Sequence, residues 1–275
     1  MLLDDIKLAN DTSSLSTIGL IEYWGRVHYT FATDDLRIPG EEVCRIFLGG
    51  KNVVSGMLNV KGNIEGERDW VDMSGLVEND QGTLLGYPLK DLTAQVNYEL
   101  GHLTLEPFSL QLGGGQLSGK AEVLHGGGDS SYLMKGTLSD VNISSYQRTV
   151  NISSSLNGEF LLAGSGWNFG EIDADIELNF TSSTLGNIQF DNGECLMELK
   201  GRSAVISGLF LHKGESTLAA SGEMEFDGSL DLDILSEAIR AEYFLPSLGY
   251  PQGFGEVATN IHFGGSFNSP VVFGD

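Results

Sequence analysis

The chain of 275 residues is long enough to bury a sizeable core, as one large β domain or two ordinary ones. Its 15 Lys and Arg stand against 38 Asp and Glu, a formal net charge of −23 at pH 7. That balance argues against a nucleic-acid partner and against electrostatic docking on anionic lipid heads, since both need cations; the acid instead keeps the outer faces of amphipathic strands soluble.

The first stretch, "MLLDDIKLANDTSS", places two aspartates where a secretory segment would carry a basic start and an apolar core, so no signal peptide is expected there. No apolar run approaches the roughly 20 residues of a membrane-spanning helix. "PGEEVCRIFLGG" then predicts a short helix: Pro39 and acids at its start, Val43, Ile46 and Phe47 at helical spacing, Gly49 as its stop.

Beyond it the pattern has period two. In "GMLNVKGNI" Leu58, Val60 and Ile64 are in phase and Met57 is not; "DLTAQVNYEL" follows with Leu92, Ala94, Val96, Tyr98 and Leu100. In "GHLTLEPFSLQLGGGQLSGKAEV" the apolar set slips from odd positions (Leu103, Leu105) to even ones (Phe108, Leu110, Leu112) at Pro107, which predicts a bulge or bend. Gly113 to Gly115 predict a turn, and Leu117, Ala121 and Val123 a returning strand. "EIDADIELNF" is the cleanest case: Ile172, Ala174, Ile176, Leu178 and Phe180 alternate with Glu171, Asp173, Asp175, Glu177 and Asn179. "SLDLDIL" adds Leu230, Leu232 and Ile234, and "SEAIRAEYFLP" predicts a second short helix with Ser236 as N-cap and Pro246 past its end. Strands apolar on one face only belong to antiparallel sheet, and 37 glycines against 6 prolines punctuate roughly 18 to 20 of them with tight turns.

Chemistry-bearing motifs are sparse. Cys44 and Cys195 are far apart, without CxxC or a nearby His pair, and read as small buried hydrophobes. His28, His102, His125, His212 and His262 have no metal-ligand spacing and read as strand-surface or turn residues. "AGSGWNFG" (Ala163 to Gly170) is no nucleophile elbow, because Ser165 lacks a glycine two positions to either side, and no dinucleotide loop, because the strand from Glu171 follows it; a strand-joining turn is expected. "HGGGDSS" and "FDGSLDLD" lack the tandem nine-residue spacing of calcium-binding β-rolls. Asp173 with Asp175, and Asp231 with Asp233, share a face as a glycosidase pair would, but polar neighbours leave neither acid selectively desolvated; a solvated outer face is the better account. No catalytic residue, cofactor or metal is therefore expected, and the chain does not read as an enzyme.

A repeat underlies the pattern. "SGMLNVKGNIEG", "LNGEFLLAGSGWN" and "GFGEVATNIHFGGSFNSP" share a glycine, an alternating strand and a second glycine; their first glycines, Gly56, Gly158 and Gly255, lie about 100 residues apart. Between them "VNYELGHLTLEPFSLQLGGGQLSGKAEV" matches "CLMELKGRSAVISGLFLHKGESTLAASGEMEF", and "YLMKGTLSDVNISSY" matches "SLDLDILSEAIRAEYF". The reading is a partial first repeat with a short helix over 1–54, repeats over 55–155 and 156–254, and the start of another over 255–275. Together they make one continuous elongated domain, a slice of a longer protein.

The run from Gly56 to Val123, "GTLSDVNISSY" and the ending "GEVATNIHFGGSFNSPVVFGD" together resemble the repeat of the AsmA-like family, including TamB, and of the wider bridge-like lipid-transfer group. The resemblance covers about Ser55 to Asp275 and rests on alternation and glycine positions. It lacks the N-terminal membrane helix and the terminal domain usual there, as an internal fragment would. It implies an all-β fold: an elongated, strongly curved, mostly antiparallel sheet folded over into a β-taco groove of ~100-residue repeats, with one or two short helices. It further implies a segment of an envelope-spanning protein that carries phospholipid between inner and outer membranes or supports outer-membrane biogenesis, in the periplasm of a diderm bacterium. Partners would be phospholipid acyl chains, an outer-membrane barrel and an inner-membrane anchor supplied by other parts of the chain. The groove would be lined by Leu103, Leu105, Phe108, Leu110, Leu112, Leu117, Ala121, Val123, Ile172, Ala174, Ile176, Leu178, Phe180, Leu230, Leu232 and Ile234. The alternative is a structural β-solenoid or adhesin-like surface protein in which the same residues close a dry core. A third reading, a polysaccharide-acting enzyme built on a β-helix, has no constellation to carry it.

Overall fold

The structure is a computed structural model that describes residues 2–10, 12–23, 25–47, 53–126, 129–145, 153–167, 170–186, 188–225, 228–244, 254–266 and 269–274. They form 19 strands, two short helices and a 3₁₀ turn, and fifteen of the strand pairs among them run antiparallel. The all-β, antiparallel expectation holds. Two compact units share the chain: Met1–Leu112 with Ser118–Met134, and Gly113–Leu117 with Lys135–Asp275.

The first unit opens with β1 (Leu2–Ala9), β2 (Ser14–Tyr23) and β3 (Val27–Pro39), then α1 (Gly40–Phe47), where the sequence predicts it. β4 (Val54–Gly66), β5 (Val71–Leu84), β6 (Tyr87–Glu99) and β7 (His102–Leu112) follow, each pairing with the strand before it. α1 is fastened through Cys44, 1 % exposed, whose Sγ accepts from the Val54 N–H at 3.3 Å. The bulge expected at Pro107 is present: Ala94 faces Phe108 and Val96 faces Leu105, so Gln95 stands opposite two residues, Glu106 and Pro107. The extra residue resets the phase, and Leu103, Leu105, Phe108 and Leu110 share one face.

The turns before and after β6 have two residues, both with positive φ: Leu85 and Gly86, then Leu100 and Gly101. Gly113 and Gly114, between β7 and β8 (Gly115–Gly126), repeat this geometry at 59° and 82°, as the glycine triplet predicts. Such turns match the twist of a hairpin. Leu100, which alternation makes the last inward residue of its strand, is instead a turn residue 79 % exposed. Across β7 and β8 the first unit carries Lys120, bound to Glu106 at 2.8 Å and to Glu122 at 3.0 Å.

β9 (Asp129–Val141) leads through a 3₁₀ turn at Ile143–Ser145 into the second unit's β10 (Ser154–Ser165) and β11 (Asp173–Phe180). β12 (Ser183–Leu185) and β13 (Ile188–Phe190) form a small hairpin outside the ladder, because β11 pairs directly with β14 (Asn192–Lys200). The hairpin attaches to the start of β10 through Ser154 and Ser155. β15 (Ser203–Lys213), β16 (Ser216–Glu225) and β17 (Leu230–Arg240) continue the meander; after α2 (Ala241–Phe244) come β18 (Glu256–Ser266) and β19 (Ser269–Gly274).

The helix expected from Ser236 is a correction. β17 runs on to Arg240 and only Ala241–Phe244 is helical. The Ser236 hydroxyl donates across the sheet to the Thr217 carbonyl at 2.9 Å, so it caps nothing, and a bulge between Ser236 and Ile239 resets the strand. Residues 245–253, including Pro246, lie outside the described residues.

Candidate functional site

Antiparallel register turns the alternation of single strands into rows that cross the sheet. In the second unit one row reads Phe160, Leu178, Cys195, Leu209, Ala220, Ile234 and Ile261, one residue from each of seven paired strands. The next reads Leu162, Ile176, Met197, Ile206, Gly222, Leu232, Phe263 and Val272. Seven strands at about 4.8 Å spacing make a band about 30 Å long. Of these residues Cys195 alone is buried and Val272 is exposed; the others are half-buried.

The band has a closed border. Phe180, Phe190, Cys195 and Leu211 are buried together, and the Phe190 ring meets Phe180 edge-on at 5.8 Å. Phe190 belongs to the β12–β13 hairpin, which therefore roofs one end of the apolar face. On the other border small residues, Ala174 and Ala204, lie flush with the backbone and are buried with Leu230.

The first unit repeats this on a smaller scale. Leu58, Leu89, Val53 and Cys44 close the end beside α1, and Val60, Ala94 and Phe108 are buried next to them. Further along the strands the row Phe31, Ile64, Met73, Tyr98 and Leu103 is half-buried throughout. Among the residues expected to line a groove, Phe108, Leu110, Leu117, Ala121, Val123, Ala174, Phe180 and Leu230 are buried. Leu103, Leu105, Leu112, Ile172, Ile176, Leu178, Leu232 and Ile234 are half-buried. Phe160, Leu162, Met197, Ile206, Ile261 and Phe263 join the band without having been singled out; the register from Ile176 and Ile234 brings them in.

The opposite face is polar and acidic. Asp175 faces Glu198 and Glu223 faces Asp231, like charges directly across the ladder. The Lys200 ammonium is held above its ordinary pKa by its hydrogen bond to Glu198 at 2.7 Å, with attraction from Asp173 and Asp175 adding to it. Burial pushes the Cys195 thiol up to about 11. Both cysteines are free and buried.

The histidines sit on strands or turns beside polar partners: His28 with Glu65 at 3.3 Å, His102 with Glu122 at 3.6 Å, His125 with Ser130 at 2.8 Å, His212 with Thr217 at 2.9 Å, and His262 with Asp233 at 3.0 Å and Asp231 at 3.7 Å. Among the described residues no group of three His, Cys, Asp or Glu could hold a metal ion, and no helix is long and apolar enough to cross a membrane. A cleft of about 500 Å³ lined by Glu22, Gly25, Arg26, His28 and Glu67 opens at the β2–β3 turn. Glu22 and His28 are cross-strand partners and alternate with Ile21 and Tyr29, so they belong to the polar face. No family model, curated protein or solved structure matches the chain.

Proposed function

We propose that the chain is a non-catalytic lipid-carrying segment of an AsmA-like, envelope-spanning protein, and that the half-buried apolar band receives phospholipid acyl chains. The observation that carries this reading is the width of the half-buried zone: two adjacent apolar rows, seven strands across, unbroken by a charge and half-buried everywhere except at Cys195. Exposing a chain of about 16 methylenes to water costs roughly 13 kcal/mol at about 0.8 kcal/mol each. A carrier must shield that chain along its length, and a row of side chains does so without a fitted pocket. The band's length of about 30 Å is comparable to the hydrocarbon thickness of a bilayer.

The element order supports the repeat part of the proposal. Between α1 and the 3₁₀ turn lie six strands, β4 to β9; between that turn and α2 lie six ladder strands again, with the β12–β13 hairpin as an insertion. The glycines that open the repeats share positive φ, 97° at Gly56, 153° at Gly158 and 136° at Gly255. A bulge recurs in the matched strand pair, at Pro107 and at Ser207. Periplasmic location and membrane-anchored partners follow from the family resemblance and belong to the same proposal.

Organic extraction of protein purified from a diderm host, followed by mass spectrometry, tests the reading. Phospholipid in stoichiometric amount, lost from an Ile176→Asp variant that stays folded, is the expected result. Lipid-free protein that also fails to take up phospholipid from vesicles points to the dry-core, adhesin-like alternative, which the sealed Phe180–Phe190–Leu211 cluster favours locally.

A further inference from the structure

The acidic face of the second unit carries an apolar patch that the alternation does not require. Phe210, Ala219 and Leu235 form one cross-strand row there, and Leu196 lies in the next row, opposite Gly208. Gly208 leaves room that the Phe210 ring fills: an ideal Cβ on that glycine would lie 2.9 Å from Phe210 Cε2. The ring therefore lies beside Gly208, the cross-strand partner of Leu196. Leu196, Phe210 and Leu235 are 48 %, 38 % and 49 % exposed.

Carboxylates surround them. Glu194 is the cross-strand partner of Phe210 and Glu177 that of Leu196; Glu198 and Asp233 stand two residues along the strands from Leu196 and Leu235. The basic side chains of this unit nearest in sequence are engaged, Lys200 with Glu198 and Lys213 with Asp191 at 3.3 Å. Glu198 and Asp233 are paired with Lys200 and His262, which leaves Glu177 and Glu194 as the free acids beside the apolar centre, in a chain of net charge −23, and that combination selects its partner. A second copy of this chain, at −23, is repelled, and so is an anionic membrane surface. An amphipathic segment with one apolar and one basic face meets both requirements, the apolar side chains on the patch and the lysines or arginines on the rim.

We infer that the Leu196–Phe210–Leu235 patch is a docking surface for a basic amphipathic protein segment. It lies on the opposite side of the sheet from the proposed lipid band and does not depend on it.

The test uses the full chain, ¹⁵N-labelled, with two synthetic 18-residue peptides of equal positive charge, one of Leu and Lys at helical spacing and one of Ser and Lys. The Leu–Lys peptide is expected to shift amide resonances within 194–198, 208–210, 219–221 and 233–235. Its affinity should fall at least tenfold in a Phe210→Ser, Leu235→Ser double variant, with the unfolding midpoint unchanged to within a few degrees, and weaken on going to 0.5 M NaCl. Binding is expected to survive Leu235→Ile. Equal affinity for the Ser–Lys peptide, unaltered binding to the double variant, or shifts confined to the face of Ile176 and Leu232 would each overturn the assignment.

Discussion

Leu100 shows how much one residue can depart from its pattern. It extends the alternation of Leu92, Ala94, Val96 and Tyr98, yet it occupies the first position of a two-residue hairpin turn at φ 48°. A left-handed backbone costs an L residue with a Cβ about 1–2 kcal/mol, and Leu100 recovers little of that because its side chain is in water. Leu100→Asn, which tolerates the conformation, should therefore stabilise the protein by about 1 kcal/mol in urea unfolding. Cys195 makes the opposite point, since its burial was expected from the want of any CxxC or nearby His pair, and its chemistry follows from that burial. Because burial disfavours the thiolate, the folded pKa near 11 lies above the unfolded value of 9.0. The folded protein then holds its proton where the unfolded chain has lost it, so this group's contribution to stability is undiminished below pH 9 and declines between pH 9 and 11. Iodoacetamide at pH 8 should leave Cys195 unlabelled in the native state and label it promptly in urea; fast native labelling would mean that the band is far more open at that point than its burial indicates. Asn79 was not foreseen at all. It is 1 % exposed and donates to the Met57 carbonyl at 2.8 Å in a niche between Gly56 and Gly82, where added Cβ atoms would lie within about 3 Å of its amide. Only the paired strands reveal that two glycines distant in sequence make that niche.

Among the elements, those spelled by local chemistry were legible. α1 follows from Pro39, its acids and Val43, Ile46 and Phe47, and the β7 bulge follows from the phase slip at Pro107. The failure at Ser236 has a tertiary cause. A serine before Glu237 and Ala238 suits an N-cap, but β18 pairs with β17 as far as Arg240, and on the other edge the Ser236 hydroxyl and the Arg240 N–H bond to Thr217 and Ser216, which holds the segment extended. The β12–β13 hairpin was missed because three-residue strands leave no periodic signal. It matters more than its length suggests, since Phe190 is the roof of the Phe180–Cys195–Leu211 cluster. Phe190→Ala should cost about 3–5 kcal/mol by equilibrium unfolding, a cavity-forming loss, with the far-UV signature of the ladder retained. A loss below about 1 kcal/mol would mean that the hairpin only rests on the sheet.

For the whole molecule, alternation told which side chains share a face but not what covers them. Phe180 and Ile176 occupy equivalent places in "EIDADIELNF", yet one is sealed by a hairpin and the other is half-open. That difference separates a core from a candidate site, and it comes from elements remote in sequence. Net charge, by contrast, is readable at once and has a consequence for stability. With −23 overall and acids facing acids at Asp175–Glu198 and Glu223–Asp231, raising NaCl from 20 to 300 mM should raise the melting temperature by a few degrees through screening. A Glu223→Lys variant should flatten that dependence. The central claim, that the half-buried rows take acyl chains, is tested most directly by titrating delipidated protein with a phospholipid bearing a fluorescent acyl chain. Saturable binding that falls at least tenfold in Leu232→Asp, in a variant that keeps its fold, and that is unchanged by Glu177→Gln on the outer face, is the predicted result. No saturable binding, or a Leu232→Asp protein that unfolds outright because the charge enters a closed core, would contradict it.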